Sequence, residues 1–147
     1  MKKESLLFRT ALMFFTRIPV RKVEYSQEYL NHSNKYLPVI GWIVGGISAL
    51  GFMLFNPILP VEIAVVLSMA IPILLTGAFH EDGFTDLCDG LGGGWTKEKI
   101  LEIMKDSRVG AFGVIGLVML LLTKFLSLSH ISESILPATL IAGHTFS

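Results

Sequence analysis

The sequence predicts an all-α protein, a polytopic bundle of transmembrane helices with an acidic helix at its cytoplasmic face. Three observations carry that expectation. Of 147 residues, 52% are hydrophobic and only 16% charged, against the quarter or so typical of soluble domains, and mean hydropathy is +0.62. The apolar residues gather into runs long enough to cross about 30 Å of hydrocarbon at 1.5 Å per residue. The basic residues cluster between those runs rather than within them. A soluble domain of this size could not bury three such helices and still present a polar surface.

Residues 37–55 (LPVIGWIVGGISALGFMLF) hold no charge and form the first expected span. Residues 61–79 form the second, with Glu62 at one end, and the sequence suggests that this helix runs on without a break into the acidic stretch beyond it. Residues 112–128 form a third span, with Lys124 near an end where it can snorkel. Residues 135–147 have the same character but are too short to cross, so the chain reads as one membrane domain that stops within a helix. Lys2, Lys3, Arg9, Arg17, Arg21, Lys22 and Lys35 precede the first span, and Lys97, Lys99, Lys105 and Arg108 lie between the second and third. The connections 56–60 and 129–134 carry no Lys or Arg. With three crossings, both basic groups fall on one side, which is expected to be the cytoplasm.

Residues 5–20 (SLLFRTALMFFTRIPV) are too often interrupted by charge to span, and Pro19 ends them. They read as an N-terminal amphipathic helix lying at the membrane interface against lipid, or as a helix that faces the protein core. Residues 21–35 are polar and suit a loop and a short helix. The basic start resembles a signal peptide, but Arg9 and Arg17 interrupt its apolar part. Twelve basic and twelve acidic residues cancel, so charge gives no expectation of a nucleic-acid partner. Cys88 is the only cysteine and can form no internal disulfide. Oligomeric state is left open.

The chemistry-bearing residues lie in the expected cytoplasmic loop, 80–111. Asp82, Asp86 and Asp89 are spaced i, i+4, i+7 and share one face of a helix. Three stacked carboxylates repel one another unless a cation sits among them. Hard oxygen donors suit Mg²⁺, or Mn²⁺, with substrate phosphates completing the shell. The spacing of His80 and Cys88 does not suit a structural zinc site. His80 at the membrane edge reads as a substrate contact or as a hydrogen-bonding group, and Glu81 is rotated off the aspartate face. Gly90, Gly92, Gly93 and Gly94 are expected to end the helix, and Gly90 and Gly92 could bring backbone N–H groups to a phosphate. Residues 95–106 read as a further helix with Thr96 as its N-cap. Asp106 and Arg108 form either a second functional set, with Arg108 as a bidentate phosphate clamp, or a solvated salt bridge. The combination suits a diphosphate substrate handled by a metal.

The blocks FTRIPV (15–20), GAFHEDGFTDLCDG (77–90) and ILEIMKDSRVGAFG (100–113) resemble the signature blocks of the cobalamin synthase family, the adenosylcobinamide-GDP ribazoletransferases. The resemblance implies a Mg²⁺-dependent enzyme of the bacterial inner membrane that joins adenosylcobinamide-GDP to α-ribazole, or to its 5′-phosphate, and releases GMP. It implies that Asp82, Asp86 and Asp89 correspond to the family's aspartate-rich motif and serve as metal ligands. Asp106 and Arg108 then match its downstream block, and His80 the histidine that opens the motif. The family more often has leucine where Glu81 stands. Its members are longer, so this chain corresponds to their N-terminal portion. Two other readings compete: a CDP-alcohol phosphatidyltransferase, whose Ala-Arg pair has no counterpart within residues 91–95, and a non-enzymatic divalent-cation transporter, whose site would lie nearer the bilayer midplane.

Overall fold

The computed structural model describes residues 2–21, 23 and 26–146. Lys22, counted above among the basic residues, and Ser147, at the end of the fourth apolar run, lie outside the described residues. All regular structure among the described residues is helical: α1 (Lys2–Phe15), α2 (Gln27–Ser33), a 3₁₀ turn (Asn34–Tyr36), α3 (Leu37–Phe55), α4 (Val61–Thr76), α5 (Phe79–Gly93), α6 (Lys97–Ile103), α7 (Ala111–Ser129) and α8 (Leu136–Phe146). Two helical runs are long and apolar enough to cross a membrane: Gln27–Phe55, with mean hydropathy 1.9, and Ala111–Ser129, with 2.2. A third crossing is counted only if α4 and α5 are taken together. The all-α membrane fold expected from the sequence is therefore what forms.

The chain divides into two compact units, one holding α1 to α4 with α8, the other running from Ala78 to Leu128. In the first unit α3 is the hub. Gly41 and Gly45, one turn apart, face α8; a Cβ on Gly41 would stand 2.7 Å from the His144 carbonyl carbon, and one on Gly45 would stand 2.8 Å from Ile141 Cα. Small residues at this spacing let two apolar helices approach backbone to backbone, the main source of helix association where lipid removes the hydrophobic driving force. The pairing of 41 with 144 and 45 with 141 makes α3 and α8 antiparallel. At the far end, Asn56 Nδ2 donates to Glu133 Oε2 at 2.8 Å. The two connections without basic residues thus lie together.

On its α4 side, α3 answers a specific deficit. Pro72 lies inside α4 and has no N–H, so the Ser68 carbonyl loses its helical partner. The Ser48 hydroxyl donates to that carbonyl at 2.7 Å, with both serines fully buried. In lipid an orphan carbonyl would be expensive, so a neighbouring hydroxyl is the usual remedy.

Helix α1 buries Leu7, Ala11 and Leu12, and Ala11 and Leu12 form one core with Ile40 and Val44. Its apolar stripe therefore faces protein, the second of the two readings open to the sequence. Glu4 holds its start, accepting from Lys35 Nζ and from the Tyr36 hydroxyl, each at 2.6 Å.

The second expected span is shorter than the sequence suggested. Helix α4 stops at Thr76, giving 16 residues, because Gly77 (φ 72°) and Ala78 (φ 61°) are both left-handed. Glycine just past a helix end takes this conformation without steric cost, whereas alanine rarely adopts it. Arg17 N–H donates to the Leu75 carbonyl at 2.7 Å, and its guanidinium covers Gly77 so closely that a Cβ there would stand 2.6 Å from Nε. Residues 76–78 thus end α4 where hydropathy alone carried it on to 79.

Replacing Ser48 with Ala should leave the Ser68 carbonyl unpaired and cost the detergent-solubilised full-length protein about 1 kcal/mol. Denaturant titration followed by tryptophan fluorescence checks this, and Ser48→Thr, which keeps the hydroxyl, should lose less.

Candidate functional site

The candidate site lies in the second unit, on α5. Helix α5 begins with the Asp82 N–H donating to the Ala78 carbonyl at 2.8 Å, and Glu81 and Asp82 fall in its first turn. Acids are favoured there because the unpaired N–H groups give a helix N-terminus partial positive charge. Asp82 and Asp86 lie one turn apart on one face; Asp82 is exposed and Asp86 half-buried. His80 is exposed, with its ring edge-on to Phe79 at 5.6 Å between centroids. Thr85 is buried and its hydroxyl donates to the Glu81 carbonyl at 2.7 Å.

Asp89 differs from the other two aspartates. It is 9% exposed, and its carboxylate accepts two backbone N–H groups: Gly110 N to Oδ2 and Gly113 N to Oδ1, both at 2.7 Å. Both glycines flank the start of α7. A Cβ on either would come within 2.9 Å of the Asp89 carboxylate carbon. Among the described residues, no group of three or more His, Cys, Asp or Glu side chains is arranged to hold a metal ion. The three aspartates share a face, as their spacing predicts, but they do not converge.

The glycine stretch also has a different use from the one the sequence suggested. Gly90, Gly92 and Gly93 lie inside α5, which runs to Gly93 before Gly94 N–H donates to the Gly90 carbonyl at 2.9 Å. A Cβ on Gly90 would stand 2.7 Å from Met104 Cγ, and one on Gly92 would stand 2.5 Å from Phe112 Cδ2. These glycines admit Ile100 of α6, Met104 just after it, and Phe112 of α7. Gly90 and Gly92 lie in the last turns of the helix, an end that offers carbonyls rather than free N–H groups.

Helix α6 starts as expected, with Thr96 Oγ1 accepting from Lys99 N at 3.3 Å. Asp106 and Arg108 then close a tight clamp. Arg108 donates through Nε to Oδ1 at 3.0 Å, through Nη2 to Oδ2 at 2.6 Å and through its backbone N to Oδ1 at 3.0 Å. The Arg108 side-chain and backbone hydrogen bonds hold the Asp106 carboxyl down to about 2. Both Asp106 oxygens accept from Arg108, so the ion pair left open by the sequence is what forms. Arg108 stays exposed, and its planar fork has donors left over, among them both N–H groups of Nη1.

Sequence reasoning missed Gly110 and Gly113. A signal was present: α7 begins without a Ser, Thr, Asp or Asn of its own to accept the first N–H groups, so an acceptor had to come from elsewhere.

These features define a helical membrane protein whose acidic helix docks on the start of an apolar one. Comparison with known proteins makes the assignment specific: the model of the cobalamin-5-phosphate synthase family matches residues 7–147, and the chain belongs to that family. An adenosylcobinamide-GDP ribazoletransferase from Shewanella amazonensis is 50% identical over 150 residues, covering 99% of this chain and 58% of the relative. Proteins of the same name from Leptospira interrogans and Vibrio cholerae are 47% and 45% identical, over 89% and 92% of this chain and 50% and 53% of their own lengths. The chain thus spans about half the length of the curated relatives it matches. No solved structure matches it.

The depressed Asp106 carboxyl sets a pH expectation. An acid whose folded pKa is lowered stays ionised, with its clamp intact, above the ordinary carboxylate range; the clamp is lost only as pH falls through about 2. Asp106→Asn should therefore leave the positions of any inflections in the pH–rate profile of the full-length protein unchanged. A profile that loses its acid limb would overturn this assignment.

Proposed function

We propose that this chain is part of an adenosylcobinamide-GDP ribazoletransferase acting at the cytoplasmic face of the bacterial inner membrane. The observation that carries the proposal is the family match across residues 7–147, a range that includes the aspartates of α5. The names of the matched relatives favour this reading over a CDP-alcohol phosphatidyltransferase or a cation transporter. The orientation rests on the basic residues that gather on one side of the expected spans.

In the proposed reaction, a hydroxyl oxygen of α-ribazole, or of its 5′-phosphate, bonds to the phosphorus nearer the cobinamide. The bond from that phosphorus to the bridging oxygen breaks, the electron pair leaves with GMP, and the hydroxyl proton is released. Asp82 and Asp86 fit a Mg²⁺ site, since this ion commonly takes one or two carboxylates and fills its octahedron with water and substrate phosphate; Mn²⁺ suits the same donors. When bound, the metal neutralises the diphosphate and stabilises the departing oxygen. Arg108, pre-oriented by Asp106, offers its spare donors to the phosphate charge that develops on transfer. His80, exposed at the start of α5, is assigned in this reading as a contact to the substrate's polar part.

With purified full-length protein, adenosylcobinamide-GDP and α-ribazole should yield GMP in a Mg²⁺-dependent manner, whereas CDP-diacylglycerol should yield no CMP. Asp82→Asn and Asp86→Asn should each lower GMP release by about a hundredfold or more. Near-normal turnover in either would remove the metal assignment, and CMP release would favour the phosphatidyltransferase.

A further inference from the structure

The two bonds that Asp89 accepts have the pattern of a helix cap supplied from another helix. The first helical bond of α7 runs from the Val114 N–H to the Gly110 carbonyl, at 3.1 Å, so Gly110 occupies the cap position and Gly113 the third position inside the helix. A capping side chain normally accepts the N–H of that third residue, and a Glu or Gln placed there reaches back to the cap residue's own N–H. Here neither position has a side chain. The Asp89 carboxylate accepts both N–H groups, one on each oxygen. Its negative charge also lies where the aligned peptide dipoles of α7 favour an anion.

The neighbouring residues leave room for this bond. A side chain on Gly110 or Gly113 would displace the carboxylate. A Cβ on Gly113 would also stand 2.6 Å from Thr85 Cγ2, and one on Gly116 would stand 3.1 Å from Cys88 Cβ. Asp89 is the buried member of the aspartate row, while Asp82 is exposed and Asp86 half-buried. Among the described hydrogen bonds, the two accepted by Asp89 are those that join α5 to the start of α7.

We infer that Asp89 is a positioning residue rather than a metal ligand: it caps α7 in trans and thereby fixes the helix that presents Asp82 and Asp86. The inference rests on the proposed transfer only for its kinetic consequence; the cap itself does not depend on it. The metal shell then draws on Asp82 and Asp86, while Asp89 holds α5 to the start of α7.

Hydrogen–deuterium exchange on the full-length protein tests the cap without any turnover. In metal-free wild type, the amides of Gly110 and Gly113 should be protected, and Mg²⁺ should change that protection little. Asp89→Asn, which keeps one acceptor oxygen but not the charge, should speed their exchange by about tenfold or more. In the GMP assay, Asp89→Asn should lower kcat while leaving the Mg²⁺ concentration for half-maximal rate within about twofold of wild type; Asp82→Asn, where activity remains measurable, should raise it by about tenfold or more. Protection that appears in wild type only after Mg²⁺ is added would overturn the inference, even if Asp89→Asn failed to fold. So would an Asp89→Asn protein with normal exchange and a strongly raised Mg²⁺ requirement. If wild type released no GMP from adenosylcobinamide-GDP, the proposed function would fail, and the exchange result would still decide the role of Asp89.

Discussion

Two hydrogen bonds to one buried carboxylate govern the arrangement of the second unit. Asp89 accepts from Gly110 and Gly113, and several features of the local sequence follow from that contact. The start of α7 needs no capping side chain of its own, and both glycines are required because a Cβ at either would occupy the carboxylate's place. Thr85, one turn before Asp89, turns its hydroxyl back to its own helix and leaves a methyl group against Gly113. An anion that would be costly to bury alone is stabilised here by two N–H donors and by the dipole of the helix it caps.

The first unit answers a different form of the same constraint, that backbone polar groups removed from water need partners. Pro72 deprives the Ser68 carbonyl of its N–H, and Ser48 replaces it from the facing helix. The carbonyls left at the end of α4 are met in part by Gly77 N–H, bonded to Ile73, and by Arg17 N–H, bonded to Leu75. That second bond gives the FTRIPV block a structural purpose: Arg17 ties it to the end of the helix that leads into the acidic segment. Gly41 and Gly45 complete the unit by admitting α8 against α3.

Much of this was legible in the sequence, and the failures have two causes, one local and one long-range. The first span, 37–55, coincides with α3, and the third, 112–128, falls one residue inside α7 at each end, because uninterrupted apolar runs report directly on helices that meet lipid. Thr96 was recognised as a cap because the acceptor lies next to the helix it serves. The second span was overrun because hydropathy continues through Gly77 and Ala78 while the backbone does not. The α5 periodicity placed three aspartates on one face, yet it could not show that Asp89 is spent on residues more than twenty positions away. Gly90 and Gly92 carry the same ambiguity, since a glycine that admits Met104 or Phe112 looks, in sequence, like one that admits a phosphate. Apart from the local break at Gly77 and Ala78, what the sequence did not reveal were contacts between helices distant in the chain.

The central claim is a division of labour along α5, with Asp82 and Asp86 left to a metal-bound diphosphate and Asp89 committed to α7. A structure of the full-length enzyme with Mn²⁺ and adenosylcobinamide-GDP tests it most directly. Asp82 and Asp86 oxygens are expected in the metal shell, with the Asp89 carboxylate still within hydrogen-bonding distance of the Gly110 and Gly113 nitrogens. An Asp89 oxygen bound to the metal, with those two N–H groups released, would contradict it.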